Sequence, residues 1–314
     1  MSGLLAILGL AIYLSRLYTK KKEVVKNEPT IIKVVLGQFP SALTIANENG
    51  YFAEEGIQVQ KENIPNLNLT IEALGRGDVD VAAINYSTLF AYQNVSPDKF
   101  IIFYGSTETK DNPYTLLIAK ENIKSPKDLA GKKMAIRTGV QSEVEAKTVL
   151  KAMGLDLKKV ELVVGETSFL TTALNQPEIS AVMAPESYAT IILQKGLGVV
   201  LVKAPRAEYI FDPYPTSAGV LSAQLVKNHP DLAKKIKIAV DKAIDFMNSN
   251  EQESRKVFQK SLNLDEGVAM NMNLGINLKL EETDRKLIEK LIDFQVENKL
   301  LDKRPDFSNV YYQE

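Results

Sequence analysis

From residue 31 onward the apolar positions follow two periods in alternation. Ile31 to Gly37 reads as a strand. In "GQFPSALTIANENGYFAEEGIQVQ", Ser41 can cap a helix running to Asn49, and Gly50 supplies the left-handed residue that ends it. After the turn Glu54-Glu55-Gly56, Ile57 to Gln60 alternates apolar and polar as a half-buried strand does. The pattern then predicts a helix ending near Gly77, a strand over Val79 to Ile84, a polar loop from Asn85 to Ser87 opening another helix, and a strand over Phe100 to Tyr104.

A second run begins with the strand Thr115 to Ala119. In "SPKDLAGKKMAIRTGVQSEVEAKTVLKAMGL", Ser125 caps, Pro126 takes the first helical position, Asp128 completes a capping box and Gly131 stops the turn. Lys133 to Arg137 reads as a strand and Val140 to Met153 as a helix ended by Gly154. Further strands fit Glu161 to Val164, Ile179 to Met183 and Val199 to Val202; long amphipathic helices fit Asp231 to Asn248 and Thr283 to Asn298. Such alternation is the pattern of a parallel α/β sheet. Two segments rich in Pro, Asn and Asp, residues 109–115 and 212–217, sit where the strand pattern restarts. Two crossings divide the chain into a first lobe (28–112), a second lobe (113–213) and a return to the first with C-terminal helices (214–314). A cleft and a hinge motion follow from that layout.

A chain of 314 residues, 45% hydrophobic, can build both lobes. Its 38 basic and 39 acidic residues leave a formal net charge of -1, which does not favour a nucleic-acid surface. The absence of Cys excludes disulfides, thiolate metal sites and cysteine catalysis. Residues 1–27 differ from the rest. Gly3 to Tyr13 is nearly all apolar, with Arg16 and Lys20-Lys21-Lys22 close behind. This core is short of the roughly 17–25 residues a spanning helix needs, and reads as the apolar region of a signal sequence or signal anchor, without a basic start or a small-x-small cleavage site. The lysines beyond it would by charge alone keep the next domain in the cytoplasm. Lys20 to Asn27 has the character of a solvated linker, which favours an anchor feeding an extracytoplasmic domain. The triplets Asn68-Leu69-Thr70, Asn85-Tyr86-Ser87 and Asn94-Val95-Ser96 are compatible with export.

Catalytic patterns are missing. His229 is the only histidine and precedes a Pro that starts a helix, where an exposed entry residue is expected. No metal-binding His pair, nucleophile elbow or phosphate loop occurs. Glu54-Glu55 and Asp78/Asp80 read as solvated turn carboxylates, and no cofactor or metal is expected. The ligand-shaped signal is "RTGVQSE", residues 137–143: the N–H groups of Gly139, Val140 and Gln141 open a helix and can hold an anion, with Arg137 adding a charged fork. Ordinary capping by Thr138 or Ser142 is the alternative, and the same alternative applies to Ser41 and Ser87. Tyr51-Phe52, beyond the helix that Ser41 opens, is expected to pack rather than to line a pocket.

These segments resemble the solute-binding proteins of ABC importers, in the nitrate/sulfonate/taurine and thiamine-precursor (NMT1/THI5-like) group. The resemblance rests on Ala46, Gly50-Tyr51-Phe52, Gly56-Ile57 and Val59, on "EALGRGDVDVAAIN", on "IKSPKDLAGKKMAI" and on "HPDLAKKIKIAVDKAIDFMNSN", collinear from residue 31 to about 250. Where the family often has G-x-V-D-A, this chain reads "NQPEISAVMAPES", a departure at Glu186 and Ser187. The resemblance implies a type II periplasmic-binding-protein-like fold, with two α/β lobes, an interlobe cleft and a two-crossing hinge. It implies that Gln38, Phe39, Pro40 and Ser41 form one lip of the cleft. Asn85 and Ser87 join from the first lobe, Arg137, Thr138, Gly139, Val140, Gln141, Ser142 and Glu186 from the second, and Asn112, Tyr114 and Tyr214 near the hinges. The implied function is an extracytoplasmic receptor, held at the cell membrane and expected as a monomer, that delivers a small organic or anionic solute to ABC permease subunits. An enzyme on the same fold, of the thiamine-precursor or menaquinone-pathway type, is the competing expectation. A sensor domain is a third, and would need an attached signalling segment.

Overall fold

The computed structural model of the protein describes residues 28–37, 39–64 and 67–313. The expected N-terminal anchor, residues 1–27, lies outside them, as does Gln38. In chain order the strands are β1 (Thr30–Val35), β2 (Ile57–Glu62), β3 (Val81–Asn85), β4 (Phe100–Glu108), β5 (Thr115–Ala119), β6 (Lys133–Arg137), β7 (Glu161–Gly165), β8 (Ile179–Pro185), β9 (Val199–Lys203), β10 (Tyr214–Ser222) and β11 (Ile276–Lys279). They form two sheets, ordered β11-β4-β10-β3-β1-β2 and β7-β6-β8-β5-β9.

The sheets are mixed, which corrects the expectation of a parallel one. The pairs β1–β2, β1–β3, β6–β7 and β6–β8 are parallel. β10 runs antiparallel to β3 and β4, and β5 runs antiparallel to β8 and β9. The reason is the way the chain changes sheets. It leaves the first at Glu108 and returns at Tyr214, and these two residues are register partners. In the second sheet Leu116, near the entry, pairs with Lys203 at the exit. Two crossings lying side by side force antiparallel neighbours at the junction. The stretch 212–217, expected to be a crossing throughout, therefore starts a strand at Tyr214, and the second crossing runs from 204 to 213.

Local signals act as their chemistry requires. The Ser41 hydroxyl accepts from Thr44 N at 3.3 Å and opens the helix Ala42–Glu48, and Gly50 takes φ 79°. Ser125 and Asp128 form the capping box, on a short 3-10 turn. His229 is exposed and stands before the helix Pro230–Ser249. Phe52 is buried, and Tyr51 packs edge-on against Phe246 of that helix. In the second sheet, alternation sends Leu117 to one core with Met134, Ile136 and Leu150, and Leu116 and Ile118 to the other with Ala135, Val182 and Ile192. The first sheet shares one large core with the long C-terminal helices. Among the described residues no helix is long and apolar enough to cross a membrane.

Candidate functional site

The loops after β1 and β8 meet across the gap between the sheets. Phe39 follows β1 and Tyr188 follows β8; their ring centroids lie 5.8 Å apart at an interplanar angle of 58°. Both side chains are half-buried, and Pro40 is buried beside Phe39. Ser41 is engaged as a cap and also lies 3.1 Å from the Thr44 hydroxyl. Of the expected first-lobe contacts, Asn85 caps the helix Tyr86–Val95, its Oδ1 accepting from Thr88 N at 2.8 Å. Ser87 is the second residue of that helix, two positions past Asn85. Its side chain turns inward, where Gln295 Nε2 donates to it in the buried interior. The structure does not bring Ser87 together with the loop residues.

On the second sheet, Arg137 ends β6 and is half-buried. Its guanidinium sits among Glu145, Arg206, Tyr114 and Tyr188. Burial lowers its pKa from the usual arginine value, with Glu145 acting in the opposite direction. No ion pair within 4 Å is made by Arg137 among the described residues. The helix Val140–Ala152 starts behind Gly139, which has φ 128° and ψ 138° and gives it no side-chain cap. The capping by Thr138 or Ser142 that stood as the alternative is not what opens the helix, because its N-cap is Gly139. Thr138 and Gly139 are exposed and Ser142 is buried, while the side chains of Val140 and Gln141 lie outside the described set.

Glu186 is buried and its oxygens are taken. Oε2 accepts from Thr190 N and Oγ1 at 3.2 and 2.8 Å, and Oε1 from Asn273 N and Nδ2 at 3.3 and 3.1 Å. Burial raises its pKa, against those hydrogen bonds. Its carboxylate ties the second sheet to the returning chain.

The junction itself carries a charged cluster that the sequence reading missed. Glu108 is fully buried; Oε1 accepts from Arg206 Nε at 2.7 Å, and Oε2 from Tyr114 N and Thr115 N at 2.9 Å each. Arg206 Nη1 lies 3.6 Å from Glu145 Oε2, and the guanidinium carbon stands 5.0 Å from the centre of the Tyr214 ring. Tyr214, fully buried, donates its hydroxyl to Glu145 Oε1 at 2.5 Å. Burial pulls the Arg206 pKa down, but Glu108 and Glu145 outweigh it and the net direction is up. Burial, then Glu145, pushes the Tyr214 phenol well above its usual value, so it stays a donor. Asn112 N bonds the Thr109 hydroxyl at 3.0 Å. Asn112 lines a polar cavity of about 380 Å³ with Asp111, Asn248, Glu251, Asn273 and Asn277. The one signal for the cluster in sequence was a charge set in apolar surroundings, as in "LVKAPRAEYIF".

Two sheets joined by paired crossings, with loops of both meeting at Phe39 and Tyr188, define a periplasmic-binding-protein-like fold. The chain belongs to the NMT1/THI5-like family, whose profile matches residues 41–254. It is 23% identical over 257 residues to a binding protein of Brucella abortus, covering 82% of this chain and 78% of that one. Its fold is similar to the periplasmic aliphatic sulphonate binding protein SsuA from Escherichia coli, with a TM-score of 0.74 at 17% identity over 91% and 92% of the two chains. It is also similar to the desulfurization enzyme DSZB, with a TM-score of 0.71 at 14% identity over 91% and 97%.

Proposed function

We propose that this protein is an extracytoplasmic receptor of an ABC importer that captures a small organic anion between its lobes and delivers it to a permease. In this reading the lobes are residues 28–112 with 214–314, and 113–213, closing about the two crossings. Residues 1–27 hold the protein at the membrane. The observation that carries the reading is the meeting of Phe39 and Tyr188 beside Arg137, a cation with no ion pair within 4 Å among the described residues. A guanidinium with no carboxylate within 4 Å among the described residues, in a partly desolvated place, favours an anion with several acceptor oxygens. The N–H groups behind Gly139, an N-cap residue that offers no side-chain acceptor, add to the same preference. Of the expected contacts, Phe39, Arg137, Thr138, Gly139 and Tyr114 fit this role best; Ser41, Asn85, Ser87 and Glu186 are occupied by the protein's own hydrogen bonds.

The likeness to DSZB keeps an enzyme on this fold as a second reading. The absence of cysteine excludes thiolate chemistry for it. Calorimetry against alkanesulfonates, carboxylates, nitrate and matched neutral amides tests the proposal. Binding of an anion with discrimination against its neutral isostere supports it. Turnover of a bound compound, or preference for the neutral member, overturns it.

A further inference from the structure

Glu145 has an arrangement that a helix-surface glutamate does not need. It stands on the second-sheet helix Val140–Ala152 with about 5% of its surface exposed. One oxygen receives the hydroxyl of Tyr214, which belongs to the first sheet, at 2.5 Å. The other lies 3.6 Å from Arg206 on the crossing segment, and the same carboxylate acts electrostatically on Arg137 at the end of β6. Arg206 is anchored on its far side by Glu108, yet its Nη2 is buried with no hydrogen-bond partner. Two guanidiniums, neither fully compensated in geometry, thus share one carboxylate that also spans the sheets.

We propose that Glu145 is a charge-reading tie between the lobes: it holds Tyr214 across the junction and screens Arg137 and Arg206, so that it and a solute's anionic head compete for the same cations. The tie is complete in protein atoms. A hydrogen bond is lost beyond about 3.5 Å, so a relative shift of about 1 Å between the lobes at this point breaks it. Competition follows because two negative groups beside one pair of guanidiniums repel each other in a poorly screened place. Glu145 therefore sets how strongly the cleft prefers a charged over a neutral solute. This inference rests on the receptor reading for its solute, but the tie itself can be tested without one.

Two variants separate charge from tether. Glu145→Gln keeps an acceptor for Tyr214 and removes the charge. Calorimetry with methanesulfonate and its neutral isostere methanesulfonamide is expected to show the affinity ratio rising roughly tenfold in favour of the anion. A purely structural glutamate would give a fall in both affinities and no rise in the ratio, and that result overturns the competition. Tyr214→Phe removes the tether and keeps the charge. Small-angle scattering on exhaustively dialysed protein is expected to show a larger radius of gyration than wild type, and an unchanged radius overturns the tie. If wild type binds neither probe, the receptor reading for this solute class falls and the competition with it. The tie then stands or falls on scattering.

Discussion

Replacing Glu108 with Ala tests whether the junction is held by its buried ion pair. The carboxylate is fully buried and accepts three hydrogen bonds, from Arg206 Nε at 2.7 Å and from Tyr114 N and Thr115 N at 2.9 Å. Its removal leaves a buried guanidinium without its closest counter-charge and two backbone donors without acceptors. Breaking a buried pair from one side costs about 3–5 kcal/mol, whereas an exposed pair would cost about 0–1 kcal/mol. The burial of both partners places Glu108→Ala in the first range. With a urea slope of about 3 kcal/mol/M for a chain of this size, a loss of about 4 kcal/mol lowers the unfolding midpoint by about 1.3 M. That is a large part of a total stability of about 5–15 kcal/mol, but it leaves a folded protein to measure. The double variant Glu108→Leu/Arg206→Met removes both charges and should be less damaged than the sum of its parts. A loss below about 1 kcal/mol in Glu108→Ala would refute the reasoning.

Three further outcomes follow from single features. Arg137→Ala should weaken the best anionic solute by about 10- to 100-fold, the worth of a charge-assisted hydrogen bond of roughly 1.5–3 kcal/mol; equal affinity in calorimetry would remove Arg137 from the site. Gly219→Ala would place a Cβ 1.7 Å from Cε1 of Tyr104 in the middle of β10. A melting curve should show a loss of about 1–3 kcal/mol or more, and an undamaged variant would show that the ring can move aside. Glu186 has its pKa raised above the ordinary carboxyl value of 4.5, first by burial. The folded state then holds its proton to higher pH than the unfolded chain, so the contribution of this group to stability falls as pH rises from about 4.5 through the folded value. Urea midpoints of Glu186→Gln should lack that fall over the same window; identical slopes in the two proteins would exclude Glu186 as its source.

Elements set by neighbours in the chain were legible. The Ser41 cap, the left-handed Gly50, the Ser125–Asp128 capping box and the strand Lys133–Arg137 all follow from chemistry within a few residues. β10 was not, because its place between β3 and β4 depends on where a chain that left at Glu108 comes back, not on the composition of "YPTSAGVLS". β11, four residues pairing with β4, has too little pattern to stand out. Within the candidate site, "RTGVQS" made Arg137 and the Gly139 turn legible as the end of a strand and the start of a helix. Ser87 looked equivalent to Asn85, but two steps along a helix rotate a side chain by about 200°, enough to turn it from the loop into the core.

The acids of the junction show why pattern reading stops where it does. Glu145 lies in "VQSEVEAKTVLKA" among charges that serve a solvated helix face, and nothing local distinguishes it from Glu143, which pairs with the exposed Lys147. What makes it different is Tyr214, 69 positions away, just as Arg206 makes Glu108 different from 98 positions away. A buried charge is tolerated only with a partner, so each of these residues has a meaning only once the fold has delivered the other. Glu108, closing the apolar run "FIIFYGSTE", and Arg206, within "LVKAPRAEYIF", do carry a faint local sign: each is a charge the surrounding burial should exclude. In a chain that crosses twice between two sheets, charges near the points where the strand pattern restarts are candidates for one another's partners, and here Glu108 and Arg206 form their pair where the two crossings run side by side.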